Sequence, residues 1–464
     1  MTDRDDILKR LDEMQSVLQT HVTNQIVETY KLLTPPLDKK RLEILKNLHD
    51  IKQTTGLIAR RLAHKGAPIR CVFLVHMAEA WNVLAPVYEA MRKSDDFKPI
   101  AITCPRAMPP DWQYAAEDDN HEELARLGVP HLRFNMNENE ALDLLKTLAP
   151  DLLFRQQPWD KMIQGAFATM ELSFTRLCYI PYGYMAVKRF FGDPKVPEGN
   201  AALHTDQYFH RACWRIFCET EMHLKIHAEN GARRGENVVF AGYPKFDDLL
   251  KRGRAAPHWP IAAKDGKKRY RVIWAPHHSI GSDWLGFGTF MSTHRDMLDW
   301  AKRDGDTEFV LKPHPHLWGK ITGSYKTMTQ EQLDEWIAAW KALPNAALLE
   351  SGDYGPLFAA SDVMITDGIS FLSEYQIFEK PLIYVDSGRN TGFNEAGAAL
   401  VESANTVKTI AEARALTDKL RKGEPDPMKE AQKKTLQRIM PWPEKSAEKI
   451  LDTIREGLKK EEDA

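Results

Sequence analysis

The strongest constraint on the fold of this 464-residue chain is an alternation of short apolar runs with helix-length segments, which occurs twice. In the first half, the runs 69–75 (IRCVFLV) and 97–103 (FKPIAIT) begin the series. After a polar, proline-containing stretch at 254–269, the alternation resumes with 270–276 (YRVIWAP) and includes 361–367 (SDVMITD). Continuous apolar runs separated by helices are typical of parallel strands buried between layers of helices. The pattern predicts two doubly wound α/β domains.

A chain of this length exceeds what one hydrophobic core usually serves, so the sequence predicts more than one domain. Two Rossmann-like α/β domains joined by a linker are the GT-B layout. The predicted regions are an N-terminal helical hairpin (1–66), a first Rossmann-like domain (67–250), a second Rossmann-like domain (251–440) and a C-terminal helix (441–464). The hairpin is predicted because Pro35-Pro36 separates two helical patterns, and proline disrupts a helix interior.

Charge and composition exclude several classes of protein. The net charge of −2 offers no global attraction to nucleic acid. The five cysteines contain no CxxC pair, which favours free thiols in a reducing compartment over a disulfide framework. No apolar stretch approaches the ~20 residues that span a bilayer, and the charged N-terminus lacks a secretory pattern. We expect a cytoplasmic protein, and the inner face of the cytoplasmic membrane is an alternative location.

Two interpretations of the N-terminal region stay open. Ile7, Leu11, Met14 and Leu18 form one apolar seam, which calls for burial in a subunit interface or against the same chain. The range 38–65 carries a basic excess of five, which would attract an anionic membrane surface.

The most informative motif is 361–386, in which a buried strand ends at Asp367. Gly368 permits a tight turn, and Ser370 is predicted to cap the following helix. A helix N-terminus at the carboxyl edge of a parallel strand offers free N–H groups to a diphosphate. Glu374, one turn further, is placed to accept hydrogen bonds from a ribose.

Two further strand ends carry histidines. His277 and His278 follow one strand, and Lys312, His314 and His316 follow another. Ligands of open α/β sheets bind at this edge, and histidine suits general base work because its ordinary pKa is near 6.5. Four histidines meeting there are also a candidate metal site, but no HExxH-type motif accompanies them. We therefore predict no metal and no other cofactor.

The first domain offers two weaker patches. HMAEAW (76–81) and RQQPWD (155–160) each follow a predicted strand. An acceptor would meet His76, Glu79, Arg155 and Asp160 there, although each of these residues is also a candidate helix cap.

At these motifs the chain resembles the CDP-glycerol glycerophosphotransferase family, which includes teichoic-acid and capsule polymerases. The resemblance covers about 69–400. GYPKFDDL (242–249) is similar to the family's Gly-Tyr-Pro-Arg-x-Asp, WAPHHS to its Ala-Pro-Thr-x-Arg, KPHP to its Lys-x-His-Pro, and SDVMITDGIS to its Ser-Asp-x-Leu-Ile-Thr-Asp-Tyr-Ser-Ser. The resemblance implies a GT-B fold that requires no metal. It also implies a histidine important for activity at His314, and donor-site positions at Asp367, Ser370 and Glu374.

The chain departs from the family pattern at two places. His277-His278-Ser279 replaces Thr-x-Arg, which removes a phosphate-neutralising arginine, and Ile369 replaces the first serine of the Ser-Ser pair. Lys312 or Arg389 is expected to supply the missing charge.

The resemblance implies transfer of a glycerophosphate-like unit from a CDP-activated donor to the hydroxyl of a polymer or lipid-linked acceptor, during synthesis of a surface polymer. His278 or His314 would accept the acceptor proton, while His277, Ser279, Lys312, Gly368 and Ser370 would surround the diphosphate. Two alternatives stay open: a GT-B glycosyltransferase that uses a nucleotide sugar, and a non-catalytic GT-B scaffold. Peripheral membrane contact and a homo-oligomer are further expectations.

Overall fold

The computed structural model describes residues 2–63, 66–107, 112–188, 202–262, 266, 268–281 and 285–463. Inside α1, the side chains of 2–13, 18 and 29–37 lie outside this description, and so does most of the predicted apolar seam. Part of the predicted linker, 263–265 and 267, also lies outside it. The chain forms two compact units: one contains 1–67 and 142–149, and the other contains 68–141 and 150–464.

Seventeen helices are described in these ranges. They are α1 (Thr2–Ala63), α2 (Trp81–Arg92), α3 (Glu117–Arg126), α4 (Glu138–Leu148), α5 (Ala202–Thr205), α6 (Tyr208–Ala212), α7 (Glu221–Asn230), α8 (Pro244–Ala255), α9 (Phe290–Arg303), α10 (Leu317–Gly319), α11 (Gln330–Lys341), α12 (Gly355–Ala360), α13 (Ile369–Gln376), α14 (Glu395–Glu402), α15 (Ile410–Arg421), α16 (Lys429–Ile439) and α17 (Ser446–Glu462).

Fifteen strands are described in the same ranges. They are β1 (Ile69–Val75), β2 (Phe97–Thr103), β3 (Arg106–Ala107), β4 (Tyr114–Ala115), β5 (His131–Arg133), β6 (Leu152–Arg155), β7 (Arg176–Tyr179), β8 (Arg215–Cys218), β9 (Val238–Phe240), β10 (Tyr270–Ala275), β11 (Thr307–Leu311), β12 (Ala346–Leu348), β13 (Val363–Thr366), β14 (Leu382–Val385) and β15 (Asn405–Val407).

Two separate parallel sheets confirm the predicted α/β class. The first sheet has the strand order β5-β2-β1-β6-β7-β8-β9, and all its pairs are parallel. The second sheet has the order β12-β11-β10-β13-β14-β15, again entirely parallel. Their central strands are apolar on both faces because helices cover both sides; the last five residues of β1, for example, are all buried.

The strand order of the second sheet decides where the site lies. β10 is central, with β11 on one side and β13 on the other. Because the three strands are parallel, their carboxyl ends reach the same edge, where ligands of doubly wound sheets bind. An aromatic cluster supports this part of the sheet: Trp274 stacks on Phe290 with ring centroids 5.6 Å apart and meets the Trp336 ring at 6.0 Å.

Helices from the two halves of the second unit pack closely together. α8, which follows the first sheet, lies against α12 of the second sheet, where Gly253 faces Gly355. A Cβ on Gly253 would lie 2.7 Å from the Gly355 carbonyl oxygen. α17, in the region predicted as a C-terminal helix, returns to the first sheet and packs on α2 and α8.

The N-terminal region differs from the predicted hairpin. A single helix, α1, runs from Thr2 to Ala63 through Pro35 and Pro36. A proline removes one backbone donor and disfavours helical geometry in the residue before it, but it does not impose a reversal of the chain. Residues with high helix propensity on both sides, such as Leu and Lys, continue the helix. Among the described residues, no helix is both long and apolar enough to cross a bilayer.

The contact between α8 and α12 predicts the effect of Gly253→Ala. In an exposed helix this change stabilises by up to about 1 kcal/mol, because alanine has the higher helix propensity. Here the added Cβ would overlap the Gly355 carbonyl, so we expect a loss of about 1–3 kcal/mol in the free energy of unfolding. Gly319→Ala is the control, because its Cβ would meet nothing within 4 Å. Equal denaturation midpoints for the two variants would contradict the prediction.

Candidate functional site

The carboxyl ends of β10, β11 and β13 are joined by hydrogen bonds from backbone and side-chain donors. The His314 N–H donates to the carbonyl of Pro276 at 3.0 Å, which ties the segment after β11 to the segment after β10. The Thr366 hydroxyl donates to the carbonyl of Ala275 at 2.7 Å and accepts the N–H of Gly368 at 2.9 Å. The three predicted motifs therefore meet at one edge of the second sheet.

Asp367 organises the loops at this edge. Its carboxylate accepts the backbone N–H of His277, and it also accepts both the N–H and the hydroxyl of Thr289, the latter at 2.7 Å. The side chain is only 2% exposed. Burial raises its pKa to about 6, although the hydrogen bonds from Thr289 and His277 act in the opposite direction. The sequence predicts Asp367 as a donor contact; in the structure its carboxylate binds both ends of the connection between β10 and α9, at His277 and Thr289.

Three histidine rings lie in contact above this carboxylate. The ring centroids of His278 and His314 are 3.9 Å apart, those of His277 and His278 are 4.3 Å apart, and those of His277 and His314 are 5.1 Å apart. His316 is exposed and lies further out, with its centroid 5.9 Å from that of His278. We call His277, His278 and His314 the histidine cluster.

Burial keeps these imidazoles neutral. It lowers the pKa of His277 to about 3. Burial, followed by His277, His316 and Lys312, lowers the pKa of His314 to about 2. The pKa of His278 falls still further, because its neighbouring histidines and Lys320 add to the effect of burial. Desolvation disfavours the charged form, and positive neighbours disfavour it again.

Hydrogen bonds assign the tautomers of two of these rings. The backbone N–H of Ser279 donates to His277 Nδ1 at 3.2 Å, and the Ser279 hydroxyl lies 2.8 Å from the same nitrogen. The backbone N–H of His316 donates to His314 Nδ1 at 3.2 Å. A neutral ring whose Nδ1 accepts must carry its proton on Nε2. Each of these rings therefore offers an Nε2–H donor.

These tautomers fit an anion better than a metal ion. Among the described residues, the histidine cluster is the group whose ligand atoms, all within 4.8 Å of one another, lie close enough for one ion. A metal-binding imidazole normally donates its second N–H to an acceptor, but here the second nitrogens of His277 and His314 accept. Lys312 and Lys320 also place positive charge beside the cluster.

Helix α13 begins beside the histidine cluster. Its N-cap is Gly368 and not Ser370, which corrects the predicted cap. The chain enters the helix two residues earlier because Gly368 already has the extended geometry of a cap, with φ −88° and ψ 141°. A Cβ on Gly368 would lie 3.8 Å from Cδ2 of His277, so the first turn of α13 lies against that ring. The Ser370 hydroxyl is exposed and bonds to no other residue that the structure describes.

The other predicted donor residues are engaged with protein partners. Lys312 is 5% exposed and donates to the Glu350 carbonyl at 3.2 Å, and burial lowers its pKa. Arg389 donates to the carbonyl of Gly288 at 3.1 Å, so it supports the loop above the site. Glu374 is buried, and its carboxylate binds the Lys245 ammonium at 2.6 Å and the Tyr354 hydroxyl at 2.7 Å.

The four candidate acceptor residues that follow strands of the first sheet lie in two different environments. Arg155 is fully buried, pairs with Asp160 at 2.7 Å and lies over the Phe209 ring at 3.9 Å. His76 is buried nearby, and burial lowers its pKa to about 3. Glu79 is exposed and forms an ion pair with Arg106. The Arg155–Asp160 pair is an internal brace, while Glu79 lies on the surface.

Sequence reasoning missed three residues at the site. Thr289 binds Asp367, and Lys245 and Tyr354 bind Glu374. Lys245 lies within the GYPKFDDL segment, so the family motif could have pointed to it. Thr289 and Tyr354 stand in no motif, and only the fold brings them to the carboxylates.

Known structures share this architecture. No protein-family model matches the chain, and no curated protein matches it. A UDP-GlcNAc 2-epimerase from Neisseria meningitidis bound to UDP-GlcNAc is 14% identical, with a TM-score of 0.53 over 84% of this chain and 100% of that one. The S. aureus MnaA–UDP co-structure is 12% identical, with a TM-score of 0.52 over 84% and 97%. The wall teichoic acid polymerase TagF is 14% identical, with a TM-score of 0.54 over 92% and 98%, and a TagF variant has been solved with CDPG. At this identity the likeness shows the fold alone: the chain has the GT-B arrangement of two Rossmann-like domains.

The neutral histidine cluster predicts how stability depends on pH. The pKa of His277 is about 3 in the folded chain and near 6.5 in the unfolded chain, so the unfolded state binds more protons between these values. The contribution of His277 to stability therefore falls as the pH drops below 6.5, by about 2 kcal/mol at pH 5. We expect His277→Asn to lose correspondingly less stability than the wild type between pH 7 and 5, measured by urea unfolding. Ser279→Ala, which alters the same loop but retains the imidazole, should keep the wild-type loss; an unchanged pH dependence in His277→Asn would refute the assignment.

Proposed function

We propose that the chain transfers a glycerophosphate-like unit from a CDP-activated donor to an acceptor hydroxyl, in the synthesis of a surface polymer. The observation that carries this proposal is the meeting of three strand-end segments, 276–279, 312–316 and 367–370, around the histidine cluster and the start of α13. The family resemblance of these same segments selects the donor class, and the shared fold with TagF is compatible with it.

The site has the groups that a diphosphate needs. The first turn of α13 supplies backbone N–H groups and the positive end of a helix dipole. The Nε2–H groups of His277 and His314 supply two more neutral donors. Lys312 and Lys320 supply positive charge, and this compensates for the arginine that the family places where His277-His278-Ser279 stands here. An anion held in this way requires no metal ion.

The chemistry follows from attack at phosphorus. The acceptor oxygen forms a bond to the distal phosphorus, the bond from that phosphorus to the bridging oxygen breaks, and CMP leaves with the bonding electrons. His278 takes the proton of the acceptor hydroxyl. Burial and its positive neighbours lower its pKa, but the negative charge of a bound diphosphate raises it. His314 donates from Nε2 to a phosphoryl oxygen, so it stabilises charge that grows during the reaction.

A nucleotide-sugar glycosyltransferase is the second candidate. It is favoured by the fold shared with a protein solved with UDP-GlcNAc. It needs the same diphosphate cradle, but the attack falls on carbon and the leaving group is a nucleoside diphosphate. A non-catalytic scaffold would release neither product.

The deciding experiment measures the released nucleotide. The full chain is incubated with CDP-glycerol, CDP-ribitol or UDP-GlcNAc and a hydroxyl acceptor, and the products are separated by ion-exchange chromatography. CMP release from a CDP-alditol supports the proposal. UDP release supports glycosyl transfer, and the absence of thermal stabilisation by CDP, CMP and UDP would support a scaffold, because any bound nucleotide stabilises by mass action.

His314→Ala tests the histidine cluster. Removal of one positioned donor to a developing oxyanion typically costs 10²–10³-fold in kcat. We expect a loss of this size, with donor affinity changed less than tenfold, in steady-state kinetics and calorimetric titration. His316→Ala is the matched control two residues away, since its exposed ring lies outside the cluster. Near wild-type turnover in His314→Ala would remove this residue from the mechanism.

Ser370→Ala tests the start of α13. Because this hydroxyl does not cap the helix, its loss should leave the melting temperature of the ligand-free protein unchanged. A lost hydrogen bond to the donor should weaken binding by about 1 kcal/mol. Ser373→Ala, whose hydroxyl bonds to the Ser370 carbonyl inside the same helix, is the comparison. Lower stability with unchanged donor affinity in Ser370→Ala would contradict a role in binding.

A further inference from the structure

One face of α1 carries a stripe of aliphatic side chains that point into solvent. In its C-terminal half, spacings of four, three, seven and four residues keep them on one side, as in a heptad pattern. These residues are Ile44, Leu48, Ile51, Ile58 and Leu62, which are 54–71% exposed. Val22 and Ile26 continue the stripe on the same face of the N-terminal half. Isolated subunits rarely expose an apolar patch of this length, so it marks an interaction surface.

The contacts of α1 within its own unit lie on a different face. His49 Nε2 lies 2.7 Å from the carboxylate of Asp143, and Arg60 donates to the Lys146 carbonyl at 3.0 Å. Leu57, near Arg60, is 3% exposed. In an α-helix with 3.6 residues per turn, Leu57 lies on the side opposite Leu48. The segment 142–149 therefore leaves the aliphatic stripe uncovered.

The charge of α1 is divided between its two halves. Residues 2–32 contain six acidic and four basic side chains, for a net charge of −2, whereas 33–63 contain three acidic and seven basic ones, for a net charge of +4. Two copies side by side in parallel would place like charges together. Two antiparallel copies would place each acidic half beside a basic half, which favours pairing and selects orientation.

We propose that α1 is a dimerisation helix, which pairs antiparallel with α1 of a second copy of this chain, so that the aliphatic stripe in the C-terminal half of each helix packs on the N-terminal half of the other. A helix of 62 residues is about 93 Å long, so the pair has room for many layers of a two-stranded interface. A lipid surface suits the stripe less well, because α1 contains neither Trp nor Phe, the aromatic anchors of interfacial helices. This proposal does not depend on the activity of the donor site.

Sedimentation velocity of the full chain tests the interface. We expect a dimer at micromolar concentration, and we expect Leu48→Glu/Ile51→Glu to shift the population to monomer, with at least a tenfold weaker dimer. Thr20→Glu/Asn24→Glu is the charge-matched control on the opposite face, and it should remain dimeric. A monomeric wild type, or a dimer that survives Leu48→Glu/Ile51→Glu, overturns the proposal. So does a monomeric chain that binds anionic vesicles through the stripe, since the stripe then serves a membrane.

Orientation is tested by a distance between spin labels. All five native cysteines are buried, so Asn47→Cys, on the exposed flank of the stripe, provides one selective label per copy. In an antiparallel pair centred near the middle of α1, the two labels lie about 40 Å apart, at 1.5 Å per residue. Pulsed electron paramagnetic resonance should report this distance in the dimer. In a parallel pair, position 47 of one helix lies beside position 47 of the other. A distance below roughly 20 Å therefore overturns the antiparallel arrangement.

Discussion

The site depends on one buried carboxylate. Asp367 receives the N–H of His277 and both donors of Thr289, so a single side chain binds both ends of the connection between β10 and α9. Three hydrogen bonds fix the position of this buried carboxylate, because the loss of any one of them would leave part of its hydrogen-bonding capacity unsatisfied away from water. The position of the histidine cluster follows, since His277 and His278 extend from the loop that this carboxylate anchors.

Burial then gives the histidine cluster its chemical character. Each imidazole loses hydration, and each also lies beside other imidazoles and lysines, so the neutral form is favoured well below pH 6.5. Backbone N–H groups occupy Nδ1 of His277 and His314 and leave their protons on Nε2. The result is a group of neutral donors with positive charge behind them, which suits an incoming anion and opposes an incoming cation.

Within the second unit, contacts between the part around the first sheet and the part around the second sheet engage Glu374, to which the family resemblance assigns a donor-site role. Glu374 binds Lys245 and Tyr354, so it links the start of α8 to α13 and to the entry of α12. Gly253 and Gly355 allow α8 and α12 to approach at backbone distance. Under the proposed function, a ribose that bound Glu374 would compete with Lys245 and Tyr354, and donor binding would then be coupled to the packing of these helices.

The sequence by itself determined the α/β class, the two parallel sheets and the three strand ends that carry the site, because hydrophobic periodicity is a local property that burial on both faces imposes. It could not determine the cap of α13, the partners of Asp367 and Glu374, or the course of α1. Serine is a common N-cap residue, but the backbone geometry of Gly368 decides where α13 begins. Two consecutive prolines usually end a helix, yet α1 continues through Pro35 and Pro36. Thr289, Lys245 and Tyr354 lie 78, 129 and 20 residues from their carboxylates, and pairings at such separations arise only when the packed fold removes these groups from water together.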